Sequence, residues 1–199
     1  MRHSFKFPIH IREIVKDHIN KAIDKTDPKR YNQESPYISA LLAKLEGKIY
    51  EDKDYYIEII TTVMDDRGKN SAEHRSGADF SITAKISDKE KNIEKAILVQ
   101  AKMDDKQLKG KLLKEQISKM RKITKSPKVL VINPIGERRD PYVCSGNKIF
   151  KNEEFSREKL ANYFTKRVMT TFDGDTRKEF VEKIQNSNLP NLHLIIKEN

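Results

Sequence analysis

The chain of 199 residues has a single cysteine, Cys144, and no long hydrophobic run. One cysteine excludes an intramolecular disulfide and any zinc site built from several cysteines. No apolar segment approaches the roughly 18 residues that a membrane-spanning helix needs. The N-terminal residues also contain no apolar stretch of signal-peptide length. We therefore expect a reduced, cytoplasmic protein that does not associate with a membrane.

Several catalytic motifs are absent as well. The sequence contains no glycine-rich phosphate-binding loop ending in Gly-Lys-Ser or Gly-Lys-Thr, no Gly-x-Ser-x-Gly nucleophile turn and no His-Glu-x-x-His zinc pair. The five histidines are scattered along the chain, and a lone histidine is more often a packing or surface residue than a ligand. These absences argue against a nucleotide-hydrolysing P-loop protein, a serine hydrolase and a histidine-based nuclease.

Positive charge is what the chain has in excess. It contains 40 Lys and Arg residues against 30 Asp and Glu residues, for a net charge of +10. Such a balance favours a polyanionic partner, most often nucleic acid. Between Asp104 and Lys128 there are nine basic and three acidic residues, so this stretch alone contributes +6. A substrate-facing surface and a merely solvated helix face are both consistent with it.

Hydrophobic periodicity predicts one α/β domain over residues 1–199. Apolar residues at three- and four-residue steps predict helices, at 9–23, 34–45, 107–124, 156–169 and 176–185. Alternating or β-branched segments predict strands, at 55–63, 78–87, 95–103 and 129–132. This order predicts a mixed central sheet flanked by helices. We place the catalytic core at 30–135 and predict that 136–199 form a C-terminal helical extension with a last strand near 192–197.

Two neighbouring strands carry the candidate catalytic residues. Gln100 and Lys102 are two residues apart and project from the same face of a strand. Asp79 lies at the start of the preceding strand, soon after Gly77, and a hairpin would bring it beside them. A carboxylate and an amide oxygen are hard ligands for Mg²⁺, and a lysine can orient a water molecule or stabilise a phosphate. The trio therefore predicts metal-dependent phosphodiester hydrolysis.

This chemistry needs a further acidic ligand. Glu34, at the head of the second predicted helix, is the first choice, and Glu73 is the second. Structural interpretations stand beside the catalytic one. Asp79 could accept hydrogen bonds in a turn, Lys102 could extend to water from a strand end, and Glu34 is favoured in a first helical turn by the helix dipole.

At these residues the sequence resembles the PD-(D/E)XK nuclease superfamily, in the branch where Gln replaces the second acid to give Gln-x-Lys, as in Mrr-like endonucleases. The run from Glu73 to Phe80, followed by Ile97-Leu98-Val99-Gln100-Ala101-Lys102, is also similar to uncharacterised prokaryotic members. The resemblance covers residues 30–135. It implies a restriction-endonuclease-like fold, dependence on Mg²⁺ with Mn²⁺ as a substitute, and cleavage of DNA, often in defence against phage.

The superfamily pattern assigns the helix glutamate to Glu34, the strand aspartate to Asp79 and the paired positions to Gln100 and Lys102. We expect Asp79, Gln100 and Glu34, or alternatively Glu73, to hold the metal. The residues expected to contact nucleic acid are Arg75, Lys106, Lys109, Lys111 and Gln116. The expected partners are DNA, a second copy in a homodimer, and a protein activator or defence-system partner.

Two other hypotheses remain open. The first is a catalytically degraded nuclease fold that binds nucleic acid or a protein partner without cleavage, with Gln100 marking the lost acid. The second is a structural subunit whose charge serves only solubility.

Overall fold

The computed structural model describes residues 5–63, 71–133, 140–170 and 172–199. Its α-helices are α1 (Ile9–Asp24), α2 (Glu34–Leu45), α3 (Ala72–Ser76), α4 (Lys111–Ile123), α5 (Gly146–Phe150), α6 (Leu160–Tyr163) and α7 (Lys178–Gln185). Its strands are β1 (Gly47–Glu51), β2 (Tyr55–Thr62), β3 (Phe80–Ser87), β4 (Asn92–Lys102), β5 (Lys128–Val131), β6 (Tyr142–Ser145), β7 (Glu158–Lys159) and β8 (Asn191–Glu198). A 3₁₀ turn at Asp105–Lys109 precedes α4, and a π-helical turn at Phe164–Val168 continues α6.

The eight strands form one mixed sheet in the order β1-β2-β8-β3-β4-β5-β6-β7. Strands β3 and β4 form an antiparallel hairpin, whereas β5 runs parallel to β4. Helices α1, α2 and α6 contribute to the hydrophobic core on one face of the sheet, and α3, α4, α5 and α7 contribute to a second core on the other face. The predicted mixed sheet flanked by helices is therefore present.

Local sequence explains the elements that position the site. In α1 the buried residues Ile11, Val15, Ile19 and Ala22 recur at three- and four-residue steps, as an amphipathic helix requires. Strand β4 is buried at every position from Lys95 to Lys102, which fits its place between two other strands. None of the described helices is long and apolar enough to cross a membrane.

Several boundaries differ from the predicted ones. The helix predicted at 107–124 is divided, because its first turn is 3₁₀ and α4 begins only after Gly110. Residues 72–76 of a predicted loop form α3, whose Ser71 side chain accepts a hydrogen bond from the backbone of His74. This helix is too short to show periodicity in the sequence. A polar run that contains Gly68 predicts that loop at 65–76, and its residues 65–70 lie outside the described residues.

The C-terminal third contributes more to the sheet than a helical extension would. It supplies three strands, β6, β7 and β8. The helix predicted at 156–169 is present but shorter, because Glu158 and Lys159 form β7 and the helical backbone runs from Leu160 to Val168 as α6 and the π-helical turn. The last strand is present, and it lies in the middle of the sheet, antiparallel to β2 and parallel to β3. Residues 30–135 alone would leave β2 and β3 without their common neighbour, so the sheet depends on the end of the chain.

Candidate functional site

The β3–β4 hairpin brings Asp79 and Gln100 together. Phe80 pairs with Val99, and the backbone N–H of Asp79 donates to the carbonyl of Val99 at 2.9 Å. One carboxylate oxygen of Asp79, Oδ2, accepts from Gln100 Nε2 at 2.5 Å and from the backbone N–H of Ala101 at 2.6 Å. Asp79 is 9% exposed and Gln100 is 1% exposed. The structure thus places this pair as the spacing predicted.

The protonation of Asp79 depends on its surroundings. The pKa of Asp79 is raised from 3.8 to about 7, mainly because the carboxyl group is buried and in smaller part because of the nearby charge of Glu73. The positive charge of Lys102 and the hydrogen bonds from Ala101 and Gln100 act in the opposite direction, because they stabilise the ionised form. A cation bound beside the carboxyl group would favour that same form.

Lys102 and Glu34 meet at the end of β4. The Nζ atom of Lys102 lies 3.8 Å from Oε1 of Glu34, which belongs to the first turn of α2. The Lys102 side chain is 9% exposed and that of Glu34 is 24% exposed, so the pair is largely buried but still accessible to solvent, mainly at Glu34. Glu34 contacts Lys102, whereas Glu73 acts electrostatically on Asp79. Both acids predicted as the further ligand therefore lie near the site.

After Lys102, a capping box begins the 3₁₀ turn at Asp105–Lys109. The Asp104 side chain accepts from the backbone of Lys106 at 2.9 Å and of Gln107 at 3.3 Å. In return, Oε1 of Gln107 accepts from the backbone N–H of Asp104 at 3.4 Å, and it also accepts from the backbone N–H of Met103 at 2.6 Å. Sequence reasoning missed this arrangement, although an acceptor followed three residues later by glutamine is a readable signal for a helix start.

Two buried amide oxygens, one at the site and one on α4, have no hydrogen-bond partner within the described ranges. They are Oε1 of Gln100 and Oε1 of Gln116 on α4. An unsatisfied buried acceptor costs on the order of 1–3 kcal/mol, and such groups are often satisfied by a water molecule, an ion or a ligand. Gln116 was predicted to support nucleic-acid contacts, and the structure shows it as a half-buried residue.

Gly77 packs α3 directly against α4. Its φ angle is +75°, and a Cβ atom added to it would lie 2.3 Å from the backbone oxygen of Gln116. Only glycine fits this combination of a left-handed conformation and a close backbone approach. The sequence indicated a turn at Gly77, but the contact with α4 connects two segments whose proximity no local pattern shows.

The predicted basic surface is smaller than the sequence suggested. Arg75, Lys106, Lys109 and Lys111 are exposed, in the segments that precede Asp79 and follow Lys102. Four other basic residues between positions 104 and 128 are engaged within the protein. These are Lys114 with the Asn152 side chain, Lys119 with the His74 carbonyl, Arg121 over the Phe150 ring, and Lys128 with Asp173.

A polar row continues from Asp79 along β3, on the face that the alternation of residues 78–87 predicts to be polar. Ser81 Oγ donates to Asn191 Oδ1 at 3.0 Å, and Thr83 Oγ1 lies 2.8 Å from His193 Nδ1. Because side chains two residues apart on a strand share a face, Asp79, Ser81 and Thr83 face the same side. Asn191 and His193 belong to β8, so the hydrogen bonds of this row depend on the non-local pairing of β3 with β8.

Among the residues that the structure describes, no three His, Cys, Asp or Glu side chains form a group that could hold a metal ion. A metal at this site would therefore use the amide oxygen of Gln100 together with the Asp79 carboxylate. Comparisons of the chain with protein families, with curated proteins and with solved structures found no match.

Proposed function

We propose that this protein is a metal-dependent nuclease that hydrolyses phosphodiester bonds in DNA, built on a restriction-endonuclease-like fold. The observation that carries the proposal is the Gln100 side chain, whose buried Oε1 has no hydrogen-bond partner in the described chain while its amide contacts the Asp79 carboxylate. Lys102 ends the strand that carries Gln100, and Glu34 of α2 lies beside its ammonium. A carboxylate, an amide oxygen and an ammonium group at one edge suit this chemistry.

The donor set fits Mg²⁺ or Mn²⁺. Carboxylate and amide oxygens are hard ligands, and Mg²⁺ keeps several waters, so one or two protein oxygens and a substrate phosphate suffice. The nitrogen and oxygen of an amide exchange places on a half-turn, so Gln100 can present either its donor or its acceptor to Asp79. Glu34, or Glu73 as the alternative, would supply the further acidic ligand. When bound, the ion would lower the pKa of a coordinated water and offset charge on the phosphate.

Lys102 has the position of a group that acts on the reacting atoms. Its ammonium offers three N–H donors, and burial strengthens the attraction between this charge and an anionic phosphate. Its ammonium lies 3.8 Å from the Glu34 carboxylate, so the two charged groups are close to each other at the site. We assign Lys102 to orienting the attacking water or to stabilising the phosphate as negative charge develops.

The exposed basic residues would hold the DNA backbone. Lys106, Lys109 and Lys111 follow Lys102 in the chain, and Arg75 precedes Asp79. Contacts of this kind bind phosphates without regard to sequence and weaken steeply with salt. A homodimer would supply a second such site for cutting both strands. The role in anti-phage defence, with a protein activator, rests on the sequence resemblance alone.

The decisive experiment is a cleavage assay on linear, supercoiled and single-stranded DNA with Mg²⁺ or Mn²⁺. We expect Lys102→Ala to lose activity by a factor on the order of 10²–10³, because a charge that stabilises the transition state is removed. Lys183→Ala, an exposed lysine on α7, is the matched control and should retain activity. Circular dichroism checks that both variants fold. Metal-dependent cleavage that survives both Lys102→Ala and Asp79→Ala would remove this site assignment.

A second candidate is a nuclease-fold protein that binds nucleic acid or a partner without cleaving. The observation in its favour is that Gln100 Nε2 donates to Asp79. The carboxylate therefore has a hydrogen-bond partner at this position without a bound cation. This candidate predicts salt-sensitive DNA binding, no cleavage with any divalent metal, and a melting temperature that Mg²⁺ and Mn²⁺ leave unchanged. A metal-induced rise in melting temperature that Asp79→Asn abolishes would instead favour the nuclease.

A further inference from the structure

A groove lies between the N-terminal segment, α1 and the π-helical turn. Its volume is about 560 Å³, within the range of ligand-binding pockets. It is distant from Asp79. Lys95 of β4 contacts the backbone at the groove's π-helical side, and Lys102 follows seven residues later, which corresponds to about 23 Å along a strand. The groove is therefore separate from the candidate nuclease site.

The groove is basic. Four of its lining residues are cationic, namely Lys6, Arg12, Lys166 and Arg167, and none of its described lining residues is acidic. Arg167 is paired with Glu158 at 3.2 Å, but the described residues offer no ion-pair partner to the other three. The Nε atom of Arg12 is also buried and lacks a hydrogen-bond partner among them. This concentration of charge favours an anionic ligand.

The groove also carries aromatic side chains. Phe172 stands at its rim with 55% of its surface exposed, and the Arg167 guanidinium lies 5.8 Å from the centroid of its ring. The rings of Phe5 and Phe7 stack nearly parallel, with centroids 6.0 Å apart, and both residues line the groove. An exposed phenylalanine surrounded by cations offers a stacking surface next to phosphate-binding groups.

An uncommon backbone feature presents the cations. Lys166 and Arg167 belong to the π-helical turn, and such turns are rare and frequently occur at functional sites. The buried Lys95 side chain holds the turn by donating to the carbonyls of Arg167 at 3.1 Å, Asp173 at 2.8 Å and Thr170. The groove wall is thus anchored to the centre of the sheet, which limits its rearrangement when a ligand binds.

We propose that this groove binds a nucleotide, with its phosphate on Lys6, Arg12 and Lys166 and its base stacked on Phe172. The same chemistry could come from a single-stranded nucleic acid or from a free nucleotide. Cationic grooves with exposed aromatic side chains bind single strands in this way, since every base has a face that can stack. The proposal does not depend on the hydrolytic activity proposed above.

The test is the binding of a fluorescently labelled oligothymidylate, followed by anisotropy in EDTA so that no cleavage occurs. We expect Phe172→Ala to weaken binding by about 5- to 100-fold, which is the usual effect of removing one stacking side chain. Lys166→Glu should also weaken binding and reduce its salt dependence, because fewer counterions are released. Lys183→Glu makes the same charge change on α7 and should leave the affinity within about twofold of the wild type, since it lies outside the groove.

Competition experiments separate the two sources of the ligand. Thymidine monophosphate that displaces the oligonucleotide at similar concentration identifies a free nucleotide, whereas a much tighter oligonucleotide identifies a single strand. Either result supports the proposal when the two variants weaken binding. Three outcomes overturn it: no binding of either ligand by the wild type, wild-type affinity in both variants, or displacement by pyrophosphate as effective as that by the nucleotide. The last would show that charge acts without the base.

Discussion

Replacing Gly77 by alanine tests the packing that positions the candidate site. Gly77 ends α3 two residues before Asp79, and it touches the backbone of α4 at Gln116. Alanine would have to keep a φ angle of +75° and also fit a methyl group into a space where its Cβ would lie 2.3 Å from the Gln116 backbone oxygen. The backbone strain and the steric clash both destabilise the folded protein.

The magnitude follows from these two terms. A left-handed conformation costs a residue with a Cβ about 1–2 kcal/mol, and overpacking against a fixed neighbour costs about 1–3 kcal/mol. We therefore expect Gly77→Ala to lower the free energy of unfolding by about 2–5 kcal/mol. For a chain of this size each kcal/mol corresponds to about 2–4 °C in melting temperature.

Gly47→Ala is the matched control. Gly47 also has a positive φ angle, +131°, but a Cβ atom there would meet nothing within 4 Å. This variant therefore carries the conformational cost of about 1–3 kcal/mol without a steric clash. Urea unfolding followed by circular dichroism measures both variants. If Gly77→Ala is destabilised no more than Gly47→Ala, the close approach of α3 to α4 is refuted.

Three further predictions concern the site and the sheet. The unfolding free energy of the wild type should fall relative to that of Asp79→Asn as the pH rises from 4 to 7. The reason is that the pKa of Asp79 is raised to about 7, mainly by burial, so the folded chain holds this proton more tightly than the unfolded one. A difference in urea unfolding that is independent of pH would contradict this. Gln100→Glu should melt at a lower temperature in EDTA, since two carboxylates replace a donor–acceptor pair, and Mg²⁺ should restore the loss in scanning fluorimetry; equal melting temperatures with and without metal would exclude a cation site. Removal of residues 190–199 should abolish cooperative unfolding, because β2 and β3 lose the strand between them; a sharp transition in the shortened chain would refute the observed strand order.

Helices and strands with strong periodicity could be predicted because their signal is local. The α2 bounds, Glu34–Leu45, match the prediction, since an apolar stripe and an acidic first turn both lie within twelve residues. The position of β8 could not be predicted, because its pattern indicates a strand but not the neighbours with which it pairs. Strand β1 was missed for a related reason. It is short and lies at the edge of the sheet, with only one partner to impose alternation.

In the candidate site, too, the contacts within neighbouring strands could be predicted, whereas those that depend on distant parts of the chain could not. Asp79 beside Gln100 could be predicted because consecutive strands usually pair, and the observed register confirms it. The approach of Glu34 to Lys102 could not be derived from a local pattern, since it depends on how α2 lies over the sheet; Glu34 was predicted from the need for a further acidic ligand and from the sequence resemblance. The groove was invisible in the sequence, because Arg12, Lys166 and Phe172 come from opposite ends of the chain.

The structure also changes how the net charge of +10 should be interpreted. The stretch between positions 104 and 128 indicated one basic surface, but Lys114, Lys119, Arg121 and Lys128 are engaged within the protein. Two groups of exposed cations are the candidates for nucleic-acid binding, one in the segments that flank the candidate nuclease residues and one along the groove. A salt titration of nucleic-acid binding sums the phosphates contacted at both places, so its slope alone cannot assign binding to either one. Charge reversals made at one surface at a time can, because Lys95 and Lys102, which mark the two surfaces on β4, are about 23 Å apart along the strand, well beyond the screening length of about 8 Å at physiological salt.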